Sequence, residues 1–378
     1  LKNSNGVPLY IQIAQDYKDK INNGILCPGA KLPKHSELAS IHNTSVSTVQ
    51  KALIYLSKQG FIKATRKKGT FVTDYHHHHR DEDVSKNQIQ TVYFVYDNVS
   101  MNTLSQELHQ RMFEGIRKAC AKNKIKFAMF DLRGTSHLPS DENSGIILFG
   151  FWGAELGYPE PNSLEAVERW VLEGRRLVMV HQYFPHLNVT HINCDNYSGG
   201  FLATQHLIKQ GHERIALLIQ GRSDLEIDPE FVLRMQGYKM ALRSHGIPVD
   251  LDLIKTLRIE LNNCGNGYRS VYESTKSLMS SNNPPTAIFA GTDFFALEAL
   301  YAAEDLGLRV PRDLSIIGYD NYSIGEDTLP GLTTVDQDFE TLGRLTVETL
   351  LKEPNIDSNE ILVTTQLVIR GSTALRQS

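Results

Sequence analysis

Within the stretch "TSVSTVQK", Ser45, Ser47, Thr48 and Gln50 place three hydroxyls and a carboxamide in six residues, with Lys51 next. Such groups both donate and accept hydrogen bonds, and a glutamine amide can meet both edge atoms of an adenine. Further on, Arg66, Lys67 and Lys68 run into Gly69, and Lys34 stands upstream. Cations grouped at a glycine suit phosphate oxygens, which reward charge without carrying sequence information. Taken singly, the hydroxyl residues would serve equally as a solvated helix face, and Lys51 as plain surface.

These groups need elements to hold them. "PLYIQIAQDYKDKINNG" spaces Leu9, Ile13, Tyr17 and Ile21 at four-residue steps, the mark of an amphipathic helix ending near Gly24. "ILCPGAKLPK" reads as a turn-rich connector. A short helix is expected from Ser36, capped by that hydroxyl ahead of "ELASIH". The next helix takes Ser45 as its cap, turns Val49, Leu53 and Leu56 inward and stops at Gly60. "FIKAT" and "GTFVT" alternate as two strands whose joint holds Arg66 to Gly69. Helix, helix–turn–helix and basic-tipped hairpin together predict a winged helix-turn-helix, whose second paired helix can enter a DNA major groove.

Charge divides the chain in the same way. Residues 1–75 carry +7 and residues 76–378 carry -11, for a net -4. A basic module on an acidic body fits one part meeting nucleic acid and the other meeting something else. The length of 378 residues calls for more than one core, and 41% hydrophobic with 22% charged residues suits a globular chain. No run of about 18 apolar residues is present, so no membrane span is expected. The start "LKNSNGVPLY" lacks a leader pattern and Cys27, Cys120, Cys194 and Cys264 are scattered, so reduced thiols in the cytoplasm are expected.

Between them, "DYHHHHRDEDVSKNQ" has no apolar period and reads as a linker over 75–90. The tract His76–His79 lacks the spacing and supporting acid of a folded metal site, and no functional metal is expected there. From residue 91, strand-like runs such as "TVYFVY", "GIILFG", "RLVMV", "RIALLI", "AIFAG" and "LSIIGY" alternate with longer amphipathic segments. That alternation predicts an α/β fold, with two parallel sheets divided near Thr190–Asp195 and ligands at the carboxyl ends of the strands. Phe151, Trp152, Tyr183 and Phe184 follow strand-like runs and could stack on an apolar ligand face or fill a core. No phosphate-binding glycine fingerprint, nucleophile elbow, HExxH or paired catalytic carboxylates appear, so neither a cofactor nor an enzyme is expected.

The head resembles the GntR family. Pro8–Tyr10, Gly24, Pro28–Gly29, Leu32–Pro33, Glu37–Ala39, Thr48–Val49, Ala52–Leu53, Gly60 and Gly69–Val72 keep its pattern over nearly all of residues 8–73. Val46 and Gln50 stand where that family usually has arginines, and Lys67 replaces the usual first glycine of the wing. The resemblance implies DNA contact through Lys34, Ser45, Ser47, Thr48, Gln50, Lys51, Arg66, Lys67, Lys68 and Gly69.

The body resembles the effector domain of LacI/GalR repressors, which shares the periplasmic sugar-binding fold. "INCDNYSGGFLATQHLIKQGHERIALL", "RMQGYKMAL", "PPTAIFAGTDFFALEALYAAEDLGLRVPRDLSIIGYDN", "LPGLTTV" and "VIRGST" carry the likeness. It implies a two-lobed domain over 91–372, with one lobe about 91–192 and 336–360 and the other about 193–333 and 361–372. By position it assigns Arg234 to donate to sugar hydroxyls or a carboxylate and Asp320 to accept from hydroxyls. Thr292 stands where many sugar sensors have asparagine; Asp293 is placed to contact ligand or to cap the next helix. The alternative role for Asp320 is a hydrogen bond that ties down the turn into "NYSIG". Asp97 and Asn98 belong to the same implied cleft.

A GntR-like head on a LacI-like body implies a repressor with operator DNA as an inverted repeat, a homodimer, and a monosaccharide effector such as a pentose or deoxyhexose. A purine or a phosphosugar are the alternative effectors. A sugar-binding module without specific DNA binding, or a sugar or nucleotide enzyme, are the rival readings.

Overall fold

The computed structural model describes residues 9–58, 60–65, 69–73, 88–96, 107–131, 141, 143–149, 167, 169–171, 173–181, 189–223, 226–259, 268–352 and 360–376. Contacts divide the chain into two compact units. The first comprises Leu1–Ser100, Ile116–Ile192 and Arg344–Ile361; the second comprises Met101–Gly115, Asn193–Gly343 and Leu362–Ser378.

In the first unit the four-residue apolar step of the N-terminal segment makes α1 (Leu9–Asn22), with Ile13, Tyr17 and Ile21 buried. Helices α2 (His35–Ile41) and α3 (Val46–Lys58) follow, and Leu38, Val49, Ala52 and Leu56 complete one core with Phe61 and Val72. Strands β1 (Ile62–Thr65) and β2 (Gly69–Val72) pair antiparallel, Ile62 opposite Val72 and Thr65 opposite Gly69. Two expectations change. The short helix begins at His35, not Ser36, and the Glu37 carboxylate takes the Lys34 N–H at 2.9 Å, an end closed from inside the first turn. The connector read as turns adds to the hairpin, since the Leu32 N–H donates to Thr70 O and the Val72 N–H to Ala30 O, both at 2.8 Å.

The same unit holds most of a sheet built from β3 (Thr91–Tyr96), β4 (Lys126–Asp131), β5 (Ser144–Phe149), β6 (Arg176–Val180) and β7 (Thr190–Cys194). With β14 (Glu360–Val363) the order is β14-β7-β6-β5-β3-β4, and β4, β3, β5, β6 and β7 run parallel. Every residue of β5 is buried, as a strand covered on both faces requires. Thr190–Cys194, read only as a divide, is a strand of this sheet. Ile89, inside the stretch read as linker, is buried; His76–His79 lie outside the described residues. Helix α4 (Glu107–Lys122) has its first nine residues in the second unit and the rest in the first.

The second unit is a three-layer α/β sandwich. Its parallel strands β8 (Ile215–Ser223), β10 (Ile254–Leu257), β11 (Ala287–Ala290) and β12 (Ser315–Ile317) take the order β10-β8-β11-β12, with β9 (Glu226–Ile227) turning back on β8. Successive residues serve opposite faces. Leu217, Ile219 and Phe289 pack with α5 (Asn196–Lys209) and α6 (Pro229–Ser244) through Leu207 and Tyr238. Leu218, Ile288 and Ile316 pack with α7 (Arg269–Met279) and α8 (Asp293–Asp305) through Val271 and Ala299. Strands β13 (Thr334–Asp336) and β15 (Gln366–Val368) form a separate antiparallel pair, and α9 (Phe339–Leu351) leaves β13 for the first unit. No helix among the described residues is long and apolar enough to cross a membrane.

Candidate functional site

Helix α3 is sorted by its own periodicity. Val49, Ala52, Leu53 and Leu56 face the core, leaving Val46, Ser47, Gln50, Lys51 and Ile54 exposed. Ser45 caps it, its Oγ accepting the Thr48 N–H at 3.2 Å. The same Oγ lies 2.8 Å from Ser47 Oγ and from Thr48 Oγ1, so the hydroxyls at this end hold one another in place. Val46 is 48% exposed, and the Gln50 amide has no hydrogen-bond partner among the described residues. A shallow concavity beside this end is lined by Ser36, Ser40, Asn43, Thr44, Ser45 and Thr48 together with apolar Leu9, Ala39 and Val46; its hydroxyls and amide are of the kind that meet phosphate oxygens. Lys34 and Gly69 are exposed; Arg66, Lys67 and Lys68 lie outside the described residues. Gly69 has φ +116, and a Cβ there would come within 2.7 Å of the Lys31 side chain, so the turn favours glycine.

In the second unit the sheet reverses its winding between β8 and β11, the place where open α/β sheets bind ligands at their carboxyl ends. Arg234, Thr292, Asp293 and Asp320 gather at that end. Arg234, in the second turn of α6, is 2% exposed. It donates to Asn196 Oδ1 at 2.8 Å and to Gly291 O at 2.5 Å, and stacks over the Tyr319 ring at 3.8 Å. Its Nη2 lies 3.7 Å from Asp320 Oδ1 and 3.8 Å from Glu230 Oε2. A buried guanidinium needs this company, because an uncompensated charge in a dry site is costly.

Asp320 accepts from Gln337 Nε2 at 2.6 Å and has φ +108, a backbone state side chains rarely adopt. Burial pushes its carboxyl well above the usual range against the pull of Arg234. Asp293 is fully buried, accepting from Thr334 Oγ1 at 2.6 Å and from the Tyr322 N–H at 2.7 Å. Burial pushes its carboxyl up to about 7 despite those bonds. A Cβ on Gly318 would sit 2.1 Å from Asp293 Oδ1, so only glycine leaves room for the carboxylate.

These contacts redistribute two expected roles. Thr292, not Asp293, caps α8, its hydroxyl accepting the Phe295 N–H at 3.2 Å. Asp293, not Asp320, ties down the turn into "NYSIG". Asn196, Glu230 and Gln337 complete the cluster and were missed from sequence; they come from three separate segments. Tyr268, Phe294 and Tyr322 form an aromatic run nearby, with ring centroids 5.5 and 4.8 Å apart. Arg370 and Arg111 brace the loop after Asp320, donating to Asn321 Oδ1 at 2.8 Å and Asp336 Oδ1 at 2.7 Å. Chemically, a fixed guanidinium beside a carboxylate can donate to one hydroxyl and accept from its neighbour. Asp97, Asn98, Phe151, Trp152, Tyr183 and Phe184 lie outside the described residues. Among the described residues no group of three His, Cys, Asp or Glu could hold a metal ion.

Comparison with known proteins bears on both sites. Residues 9–72 match the family described as "Bacterial regulatory proteins, gntR family", and residues 204–373 match "Periplasmic binding protein-like domain". The chain is 36% identical over 200 residues to the HTH-type transcriptional repressor CytR of Escherichia coli (strain K12), covering 52% of this chain and 55% of that protein. It thus spans about half the length of the first curated relatives it matches. It is 24% identical over 384 residues to the arabinose metabolism transcriptional repressor of Halalkalibacterium halodurans, covering 98% of this chain and 97% of the other. Among solved structures, a LacI family transcriptional regulator from Mycobacterium smegmatis superposes with TM-score 0.57 at 25% identity, covering 76% of this chain and all of that one. One from Enterococcus faecium with bound ribose shares the fold, at TM-score 0.59 and 24% identity over 76% of this chain and all of that one.

Proposed function

We propose that this chain, an N-terminal GntR-type helix-turn-helix domain joined to a periplasmic-binding-protein-like domain of LacI/GalR type, is a transcriptional repressor released or engaged by a small sugar. The observation that carries the reading is the pairing of two unlike surfaces in one sequence. One is a basic winged helix with an exposed, hydroxyl-capped α3. The other is a buried Arg234–Asp320 pair at the switch point of an open sheet. Residues 1–74 would bind DNA through α3 and the wing, with Lys34, Ser45, Ser47, Thr48, Gln50, Lys51 and Gly69 at the duplex. Residues 91–372 would bind the effector, with Arg234 donating and Asp320 accepting.

A monosaccharide suits that pair, and a pentose or deoxyhexose is the proposed class. The full-length relative named as an arabinose metabolism repressor and the neighbour solved with ribose both support it. Thr292 and Asp293 then act as supports for the pair, since both are engaged by backbone N–H groups. The proposed assembly is a cytoplasmic homodimer whose two heads meet the halves of an inverted repeat.

The test is affinity selection of fragmented genomic DNA from the source organism on the purified full chain, followed by sequencing. A shared inverted repeat beside sugar-catabolic genes is expected, and candidate pentoses should shift the affinity for it. Diffuse, salt-sensitive recovery without a shared sequence would reject the regulator.

A further inference from the structure

Four features of α3 set its chemistry at a major groove. Its first residue, Val46, leaves 48% of its surface exposed, an unusual place for a branched apolar side chain at a helix start. Gln50 lies one turn on, exposed, with its amide unpartnered among the described residues. The hydroxyls of Ser45, Ser47 and Thr48 are engaged with one another. Lys51 is the only cation of the helix before Lys58, and α3 carries no arginine at all.

Each base pair offers the major groove a distinct pattern, and side chains match it by type. Guanine is read by forks of cationic donors on O6 and N7, for which arginine is the usual means. Adenine is read by a carboxamide that donates to N7 and accepts from the N6 amino group. Thymine alone presents a methyl, which only an apolar side chain rewards. An exposed valine loses little by standing in water, but against a thymine methyl it removes apolar surface from solvent. Four residues along α3 advance about 6 Å, which is roughly two base-pair steps.

We propose that α3 specifies adenine–thymine pairs, with the Gln50 amide bidentate on adenine and Val46 against a thymine methyl about two base pairs away. The proposal rests on the DNA-binding reading above and adds which bases are read. Lys51 then contributes affinity through phosphate, since a single flexible ammonium does not fix a base in a fork. The +7 charge of residues 1–75 supplies the attraction that brings the face to the duplex.

The test uses the full chain selected against a randomised duplex library, for the natural sequence and for Val46→Ala, Gln50→Ala, Gln50→Arg and Lys51→Gln. All three positions are exposed, so the variants should fold. The enriched half-site should hold an adenine and a thymine at fixed spacing. Replacing that adenine by 7-deazaadenine should weaken binding on the order of tenfold, and should do nothing further to Gln50→Ala. Replacing the thymine by uracil, which removes only the methyl, should cost about fourfold, and nothing further in Val46→Ala. Gln50→Arg should move the preference at the adenine position to guanine. Lys51→Gln should weaken all sequences alike. A well-defined half-site with guanine at these positions, unmoved by changes at Val46 or Gln50, would overturn the base assignment and leave the regulator standing. Failure to enrich any sequence would overturn both.

Discussion

Arg234 is the residue on which the second unit's site turns, and its energetics run opposite to those of a surface cation. Two hydrogen bonds, two carboxylates and an aromatic face surround it, and almost none of it meets water. Arg234→Met should therefore destabilise the chain by about 3–5 kcal/mol, read as a fall in the urea midpoint. Most of that loss comes from leaving the Asp320 carboxyl buried without its cation, with only the Gln337 amide still donating to it, so Asp320→Asn in the same chain should recover part of it. A cost below about 1 kcal/mol would mean that the pair behaves as a solvated one. Asp293 gives a second prediction. Its folded pKa, about 7, lies above that of an unfolded aspartate near 3.9. Between those values the folded chain holds a proton that the unfolded chain lacks. The group's contribution is thus fully present below about pH 4 and is lost as pH rises through 7. Half-buried His206 and buried His212 are shifted down by desolvation and act in the opposite direction, so total stability alone would mislead. The informative quantity is the difference between the natural chain and Asp293→Asn. Raising pH from 5 to 7 should move it against the natural chain by about 2 kcal/mol. A difference that stays flat would show that the carboxyl is ionised throughout.

The elements explain why that arginine can be so deeply placed. Helices α5 and α6 meet at glycines: a Cβ on Gly200 would lie 2.2 Å from Arg234 O, and one on Gly237 would lie 2.1 Å from Tyr197 O. Neither contact is with a flexible side-chain tip, so the helices must separate to admit a methyl. Gly200→Ala and Gly237→Ala should each cost about 1–3 kcal/mol and should weaken effector binding, because the backbone that carries Arg234 moves. Met240→Ala, on the exposed side of α6, should stay within about 0.5 kcal/mol. Calorimetric unfolding of the three variants separates the cases, and equal effects would refute a close-packed pair. Sequence pattern exposed some of this and hid the rest. Runs such as "GIILFG" and "AIFAG" read as strands because sheets covered on both faces demand unbroken apolar residues. "THINC" and Thr334–Asp336 escaped notice because they are short and half polar, and only distant partners make them strands. Arg234 and Asp320 were legible as a pair through resemblance. Asn196, Glu230 and Gln337 were not, since each is ordinary in its own segment and acquires its role only when three segments meet. At the other site, Ser45 was legible because a cap is a local matter, whereas the closure of α2 by Glu37 from within its first turn was not.

At the scale of the whole molecule, the uneven charge gives a measurement that counts heads. Binding of a cation to DNA phosphate releases counterions, so log affinity falls linearly with log salt, by about 0.9 for each phosphate neutralised. The body's net charge of -11 has the sign of the duplex and opposes its approach. The change in slope on altering head residues therefore reports the head's own phosphate contacts. Changing Arg66, Lys67 and Lys68 together to glutamine removes three positive charges from each chain. If one head engages the duplex, the slope should shrink by up to about 3. If two heads engage an inverted repeat, it should shrink by about twice that, while the preferred sequence stays the same because phosphate contacts carry no base information. Titrations from low to moderate salt on one selected duplex, with the natural chain and the triple variant, give both slopes. A change near 6 would support the dimer, and one near 3 a single bound head. An unchanged slope would take the wing off the phosphates and leave α3 and Lys34 to hold the duplex.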